Sequence, residues 1–287
     1  HVRISKRKIA YCPTRKLTMT SIEEEQTNSV RNQGRENGLF RKCMDTIKQS
    51  HTIGQGLRTA ALAAGLMTDR NCYAELLCQF YIATAALENR MEELRNSSKL
   101  VRDVETLGYS FTVEYEKDLH ALLGNNWKLI VTKWETLGAS AYRTKLKTCG
   151  ELEIVAAAFI LWGPLIIGGG AALKPRVRKS FGDDACNVFS SVIGTAGGGR
   201  QKRRKHFIDV FDTLLPINEN TQQRTTTIVN ACTDFMALNN DMMMSVQQQP
   251  WWKKWIVAGL VVSTSVLIWK FFYSDHDHPS SASDVKK

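Results

Sequence analysis

The chain has 287 residues, 43% of them apolar and 23% charged, with a formal net charge of +10, which suffices for a sizeable core and excludes a disordered or collagen-like chain. Six prolines and long runs rich in Ala, Leu, Glu, Lys and Met argue against the short, turn-punctuated strands of an all-β protein and predict an all-α class. Seven cysteines, with no CxxC and no histidines at zinc-ligand spacing, argue against a disulfide framework or zinc site and read as reduced core residues in a domain facing the cytosol or an organelle matrix.

Residues 1–38 form a basic and then polar lead-in that is expected to be disordered. Its first 18 residues carry Arg3, Lys6, Arg7, Lys8, Arg15 and Lys16 and no acid. Since the sequence opens on His1, this stretch reads as a fragment of a longer leader, as sequence upstream of a start at Met19, or as an organelle transit peptide. A first helix is predicted from Leu39 to Ser50, running past His51. The next covers Cys72–Leu94, where Tyr73, Leu77, Phe80, Thr84, Leu87, Met91 and Leu94 step along one face as core-packing residues do.

Phe111–Leu123 is the following helix, closed by the turn signal Gly124-Asn125-Asn126, and another is expected to begin near Trp127. Glu151–Leu173 is the most apolar stretch of the domain, yet it contains Gly163-Pro164 and the run Gly168-Gly169-Gly170. Such residues weaken a helix by about 1 kcal/mol per glycine and about 3 kcal/mol for an interior proline. Keeping them implies a kink or a close approach to something flat, or else a plain break between two core helices. Residues 194–206, with Arg200, Lys202, Arg203, Arg204 and Lys205 after a glycine run, read as a flexible basic loop: solvated, or contacting a reductase or anionic lipid. Two helices are then predicted, from about His206 to Leu215 and from about Thr221 to Val246, divided by Pro216. There is no internal repeat and no domain boundary within residues 39–246.

Residues 255–273 read as a transmembrane anchor. No charge interrupts Trp255–Trp269, and a snorkelling Lys270 extends the apolar segment to Tyr273. Nineteen helical residues span roughly 28 Å, close to a hydrocarbon core of about 30 Å. Trp251, Trp252 and Trp255 before it, and Trp269, Phe271, Phe272 and Tyr273 after it, suit the two interfaces, and Lys253 and Lys254 favour a cytosolic domain. Residues 274–287 form a short polar tail, so insertion would follow release of the finished chain. The expected localisation is tail-anchored in a membrane, the endoplasmic reticulum being favoured and a matrix-facing organelle membrane the alternative.

Several motifs occur in a telling order: Lys48-Gln49-Ser50-His51-Thr52 on the first helix, Ala86-Leu87-Glu88 on the second, Asp118-Leu119 followed by Gly124 and Trp127, and the glycine-broken apolar stretch ending in Lys174. Together they resemble the heme oxygenase family over roughly residues 39–246, and the 118 residues separating His51 from Gly169 resemble the family's spacing. The resemblance implies a heme-oxygenase-like multi-helix domain that binds heme as both substrate and prosthetic group. It implies His51 as axial ligand to the heme iron, Gln55 in the place of a carboxylate that orients the ring, and Gly168, Gly169 and Gly170 as the distal cover. Further implications are a NADPH-dependent or ferredoxin-type reductase as partner, a lipid bilayer beneath the domain, and no nucleic acid.

The departures lie on the distal side and at the propionates. Ile166 stands where the family carries an aspartate that organises proton delivery, or Pro164 in a shifted register, and no carboxylate lies between Glu153 and Asp183. Ile160 is among the apolar or small residues where a distal tyrosine would be. Met44 and Asp212 occupy positions of propionate-holding cations, which Lys48, Arg176, Arg178 and Lys179 are available to replace. His120 and His206 read as structural or surface residues. The function implied is oxidative cleavage of heme to biliverdin, carbon monoxide and iron; the alternatives are a non-catalytic heme-binding or structural relative, and a tail-anchored adaptor.

Overall fold

A computed structural model describes residues 38–48, 50, 52, 68–168, 170–194, 199–215 and 220–246. Within them every regular element is helical. The first helix, α1, covers residues 39–48, with 50 and 52 also helical. Then come α2 (Arg70–Arg95), α3 (Lys99–Glu105), α4 (Thr112–Leu123), α5 (Trp127–Trp134), α6 (Leu137–Thr148), α7 (Glu151–Ile166), α8 (Gly170–Phe181), α9 (Asn187–Gly194), α10 (Arg200–Thr213) and α11 (Thr221–Met244).

Three of the helices begin where side chains satisfy free N–H groups. Asp69 accepts from Cys72 N at α2 and Ser98 from Val101 N at α3, while the Glu153 carboxylate accepts from Gly150 N ahead of α7. Gly124 closes α4 with φ of 71°, a left-handed value that costs a residue without Cβ little. The stepped face foreseen on α2 is inward: Tyr73, Leu77, Thr84, Leu87 and Met91 are buried, with Phe80 and Leu94 packed at the edge of the core. Cys72, Ala74, Glu75, Cys78 and Gln79 are buried as well, so the N-terminal half of α2 is enclosed nearly all round. It packs on α4, α6 and α7, while α11 lies along α7 and α6.

One hydrophobic core serves all these helices. All six cysteines among the described residues are buried and none is in a disulfide, as expected of reduced core thiols. The apolar stretch from Glu151 does not run on as one helix to Leu173. It divides into α7 and α8 after Ile166, since Ile167 N and Gly168 N both return to the Gly163 carbonyl at 2.9 and 3.2 Å. A Cβ on Gly168 would stand 2.6 Å from the Pro164 carbonyl oxygen. The close approach that this glycine permits is therefore to the chain's own backbone.

The basic segment also differs from expectation: it is not a loop up to His206, because α10 already starts at Arg200. Arg, Gln and Lys are good helix formers, and Phe207 and Phe211, both fully buried, fasten the helix to the core. The helices α3, α6, α8 and α9 were not foreseen. The segment 255–273 lies outside the described residues, among which no helix is long and apolar enough to cross a membrane.

Candidate functional site

Aromatic rings join α1, α7 and α10. Phe40 meets Phe159 edge-on at 5.7 Å and Phe207 at 6.3 Å; Phe159 meets Phe211 at 5.2 Å, and Phe207 stacks on Phe211 at 4.5 Å. Where Gly163 stands, an added Cβ would have Phe207 as its nearest neighbour, at 3.7 Å. α1 is also held at both ends. At its start the Asp212 carboxylate accepts from Phe40 N at 2.9 Å; at its far end Asn240 Nδ2 on α11 donates to the Ser50 carbonyl at 3.2 Å. Between them Cys43 and Cys232 pair as thiols, which together with burial raises the Cys232 pKa well above its ordinary value. The first helix is thus fixed beside the apolar helix that ends in the glycine run.

Of the residues singled out in the sequence, His51, Gln55 and Gly169 lie outside the described residues. Lys48 is exposed near the end of α1, and Arg176 and Lys179 are exposed on α8. Arg178 instead pairs with Asp183 at 2.8 Å. Ile166 is 2% exposed in the core at the last turn of α7, Gly168 follows half-buried, and Gly170 opens α8. Met44 packs against the core, and Asp212 serves as the cap of α1. Ile160 is buried too. His120 is exposed and bonded to Asn125 Oδ1 at 2.9 Å, and His206 is exposed.

The acidic residues of the two remaining motifs are helix caps supplied from across the chain. Glu88 accepts from Phe111 N at 2.6 Å and from Thr112 N at 3.2 Å, at the start of α4. Asp118, fully buried, accepts from Asn187 N at 2.6 Å and Asn187 Nδ2 at 2.9 Å through Oδ1, and from Val188 N at 3.1 Å through Oδ2, at the start of α9. Burial pushes the Asp118 carboxyl up to about 6, against the downward pull of those hydrogen bonds. Trp127, which closes the motif, lies edge-on to Tyr81 at 5.4 Å. These residues position helices. Sequence spacing missed the aromatic joint and the remote caps, because only folding brings residues so far apart together.

Two surface concavities lie elsewhere. One, of about 650 Å³, is lined by Glu116, Lys117, His120, Trp127 and Asp184; the other, of about 520 Å³, by Tyr81, Asn89, Arg90, Glu135 and Arg143. Neither touches α1 or the end of α7. Among the described residues no three His, Cys, Asp or Glu side chains are placed to hold a metal ion.

A helical domain of this arrangement, with its first helix clamped beside a glycine-broken apolar helix, has the heme oxygenase fold. Heme oxygenase 2 from Chlamydomonas reinhardtii, crystallised without heme, superposes with a TM-score of 0.64 at 20% identity, over 75% of this chain and 100% of that one. Heme oxygenase-2 from Synechocystis sp. PCC 6803, in complex with heme and NO, gives 0.64 at 22% identity over 85% and 95%. Heme oxygenase 2 from Synechocystis is also 24% identical in sequence over 217 residues, covering 73% of this chain and 83% of that protein. A family model, Heme oxygenase, matches residues 39–245, and the chain belongs to the heme oxygenase family.

Proposed function

We propose that this protein cleaves heme oxidatively to biliverdin, carbon monoxide and iron, drawing electrons from a NADPH-dependent or ferredoxin-type reductase. The observation that carries this reading is the family match over residues 39–245, which takes in every helix from α1 to α11. The residues fit such a group on the proximal side. Asn240 Oδ1 is buried and has no hydrogen-bond partner among the described residues, although its own Nδ2 binds Ser50 at the end of α1. A polar group beside the continuation of α1, where the sequence places His51, would satisfy it.

When bound, heme supplies the iron at which dioxygen is activated and the ring that is cleaved. His51 would bind the iron through its imidazole, with Gln55 to orient that ring, and the exposed cations Lys48, Arg176 and Lys179 would pair with the propionates in place of Met44 and Asp212. Gly169 and Gly170 would keep side chains off the distal face, following Gly168, whose missing Cβ makes room for the Pro164 backbone. Ile166 carries no ionisable group, so proton delivery would fall to backbone groups and water rather than a carboxylate. The 255–273 segment anchors the domain to a membrane with the domain in the cytosol, the endoplasmic reticulum being favoured.

The test is His51→Ala, which should lose the axial coordination spectrum of added heme while keeping the thermal melt of the parent. Unchanged coordination would move the ligand role to His120 or His206 and break the correspondence. One observation favours a second reading: the burial of apolar Ile166 at the distal position suits a relative that binds heme without cleaving it. Such a protein would hold a stable Soret band under a reductase system.

A further inference from the structure

We propose that the corner formed by residues 136–138 and 242–245 rests in the headgroup layer of the bilayer entered by the 255–273 segment; the inference rests on the anchor reading above. Two apolar side chains stand out into solvent there, Leu137 at 91% and Met244 at 62% exposure, and Leu137 is the most exposed large apolar side chain among the described residues. They share one corner because their neighbours touch. Ser245 Oγ donates to Thr136 Oγ1 at 2.6 Å, and a Cβ on Gly138 would stand 2.8 Å from Met242 Cα.

The joint is fixed from inside. Gln79, fully buried on α2, accepts from both the backbone N–H and the hydroxyl of Thr136 at 3.0 Å, and donates to the Trp134 carbonyl at 2.8 Å. Leu137 is therefore presented by a rigid turn. Chain length supplies the occupant. From Val246, at the edge of the described domain, eight residues lead to Trp255, a reach of no more than about 32 Å even fully extended. Trp251, Trp252, Lys253 and Lys254 fall within that stretch and favour the interface, which shortens the free length further. The apolar corner is thus held close to the point where the chain enters lipid, and a membrane interface favours an exposed Leu and Met more than water does.

The experiment uses the full chain with Cys12→Ser, reconstituted into phosphatidylcholine vesicles carrying phosphatidylserine. Single cysteines at Leu137→Cys, Met244→Cys and Thr226→Cys carry an environment-sensitive fluorophore; the described native thiols are buried. Thr226 is exposed near the other end of α11, about 27 Å from Met244 by helical rise. The expected result is a blue shift, quenching by bromolipid and a severalfold loss of iodide quenching at 137 and 244, with the 226 label still wet. Vesicle flotation with wet labels at 137 and 244 would overturn this inference alone. Failure to float would overturn the anchor reading and the inference with it. Quenching between labels that disappears on dilution with unlabelled chain would seat a second copy on the corner and overturn the lipid assignment.

Discussion

At the scale of single residues, Ile166 and Asp118 show opposite solutions to a buried position. Ile166 fills the end of the apolar helix α7, where a carboxylate would face a core. Ile166→Asp is expected to cost roughly 2–5 kcal/mol in a denaturant melt and, in the heme-loaded protein, to raise the yield of biliverdin; an unchanged melt would mean that the side chain does not sit in the core. Asp118 is a buried carboxyl raised from 3.8 to about 6 chiefly by burial. Because its folded pKa lies above its unfolded one, the folded state holds the proton more tightly. Its contribution to stability is fully present below the unfolded value and is lost as pH rises through about 6. Between pH 7 and pH 4, the parent should therefore gain stability relative to Asp118→Asn, by at most about 3 kcal/mol. A constant difference across paired denaturant melts would contradict the shift.

Among the elements, α10 is the clearest case of tertiary structure deciding against local composition. Its first turns carry Arg200, Lys202, Arg203, Arg204 and Lys205 and no acid, an arrangement unfavourable to the helix dipole. Phe207 and Phe211, packed with Phe159 and Phe40, compensate. Phe207→Ala should destabilise the protein by about 3–5 kcal/mol and selectively speed hydrogen exchange at the 204–211 amides. Uniform exchange across 200–211, as fast as an unstructured peptide in the parent protein, would restore the loop. The long helices were legible in the sequence because their apolar residues recur at helical spacing, as along Tyr73–Leu94, and because Gly124 marks a stop. The start of α10 was not, since a glycine run followed by cations is locally a loop signal. Neither were the caps from Glu88, Asp118 and Asp212, whose partners lie 23 to 172 residues away.

For the molecule as a whole, the motifs that betrayed the family divide into two kinds. Glu88, Asp118, Gly124 and Trp127 were legible as a pattern, and the structure gives them structural work as caps, turn and packing. Gly168 lies in the described break between α7 and α8, while His51, Gln55 and Gly169 fall outside the described residues, so their roles rest on the order of motifs along the chain. A single core closing at Val246 predicts that removal of residues 251–287 leaves a folded helical domain with an unchanged far-ultraviolet circular dichroism melt, whereas aggregation or lost helicity would make the anchor part of the fold. Heme cleavage is tested most directly by one measurement: the absorption spectrum of the heme-loaded protein followed in air with a reductase and NADPH. Loss of the Soret band with the rise of biliverdin absorption is the predicted result; a Soret band that persists through the reaction, or that never forms, would contradict it.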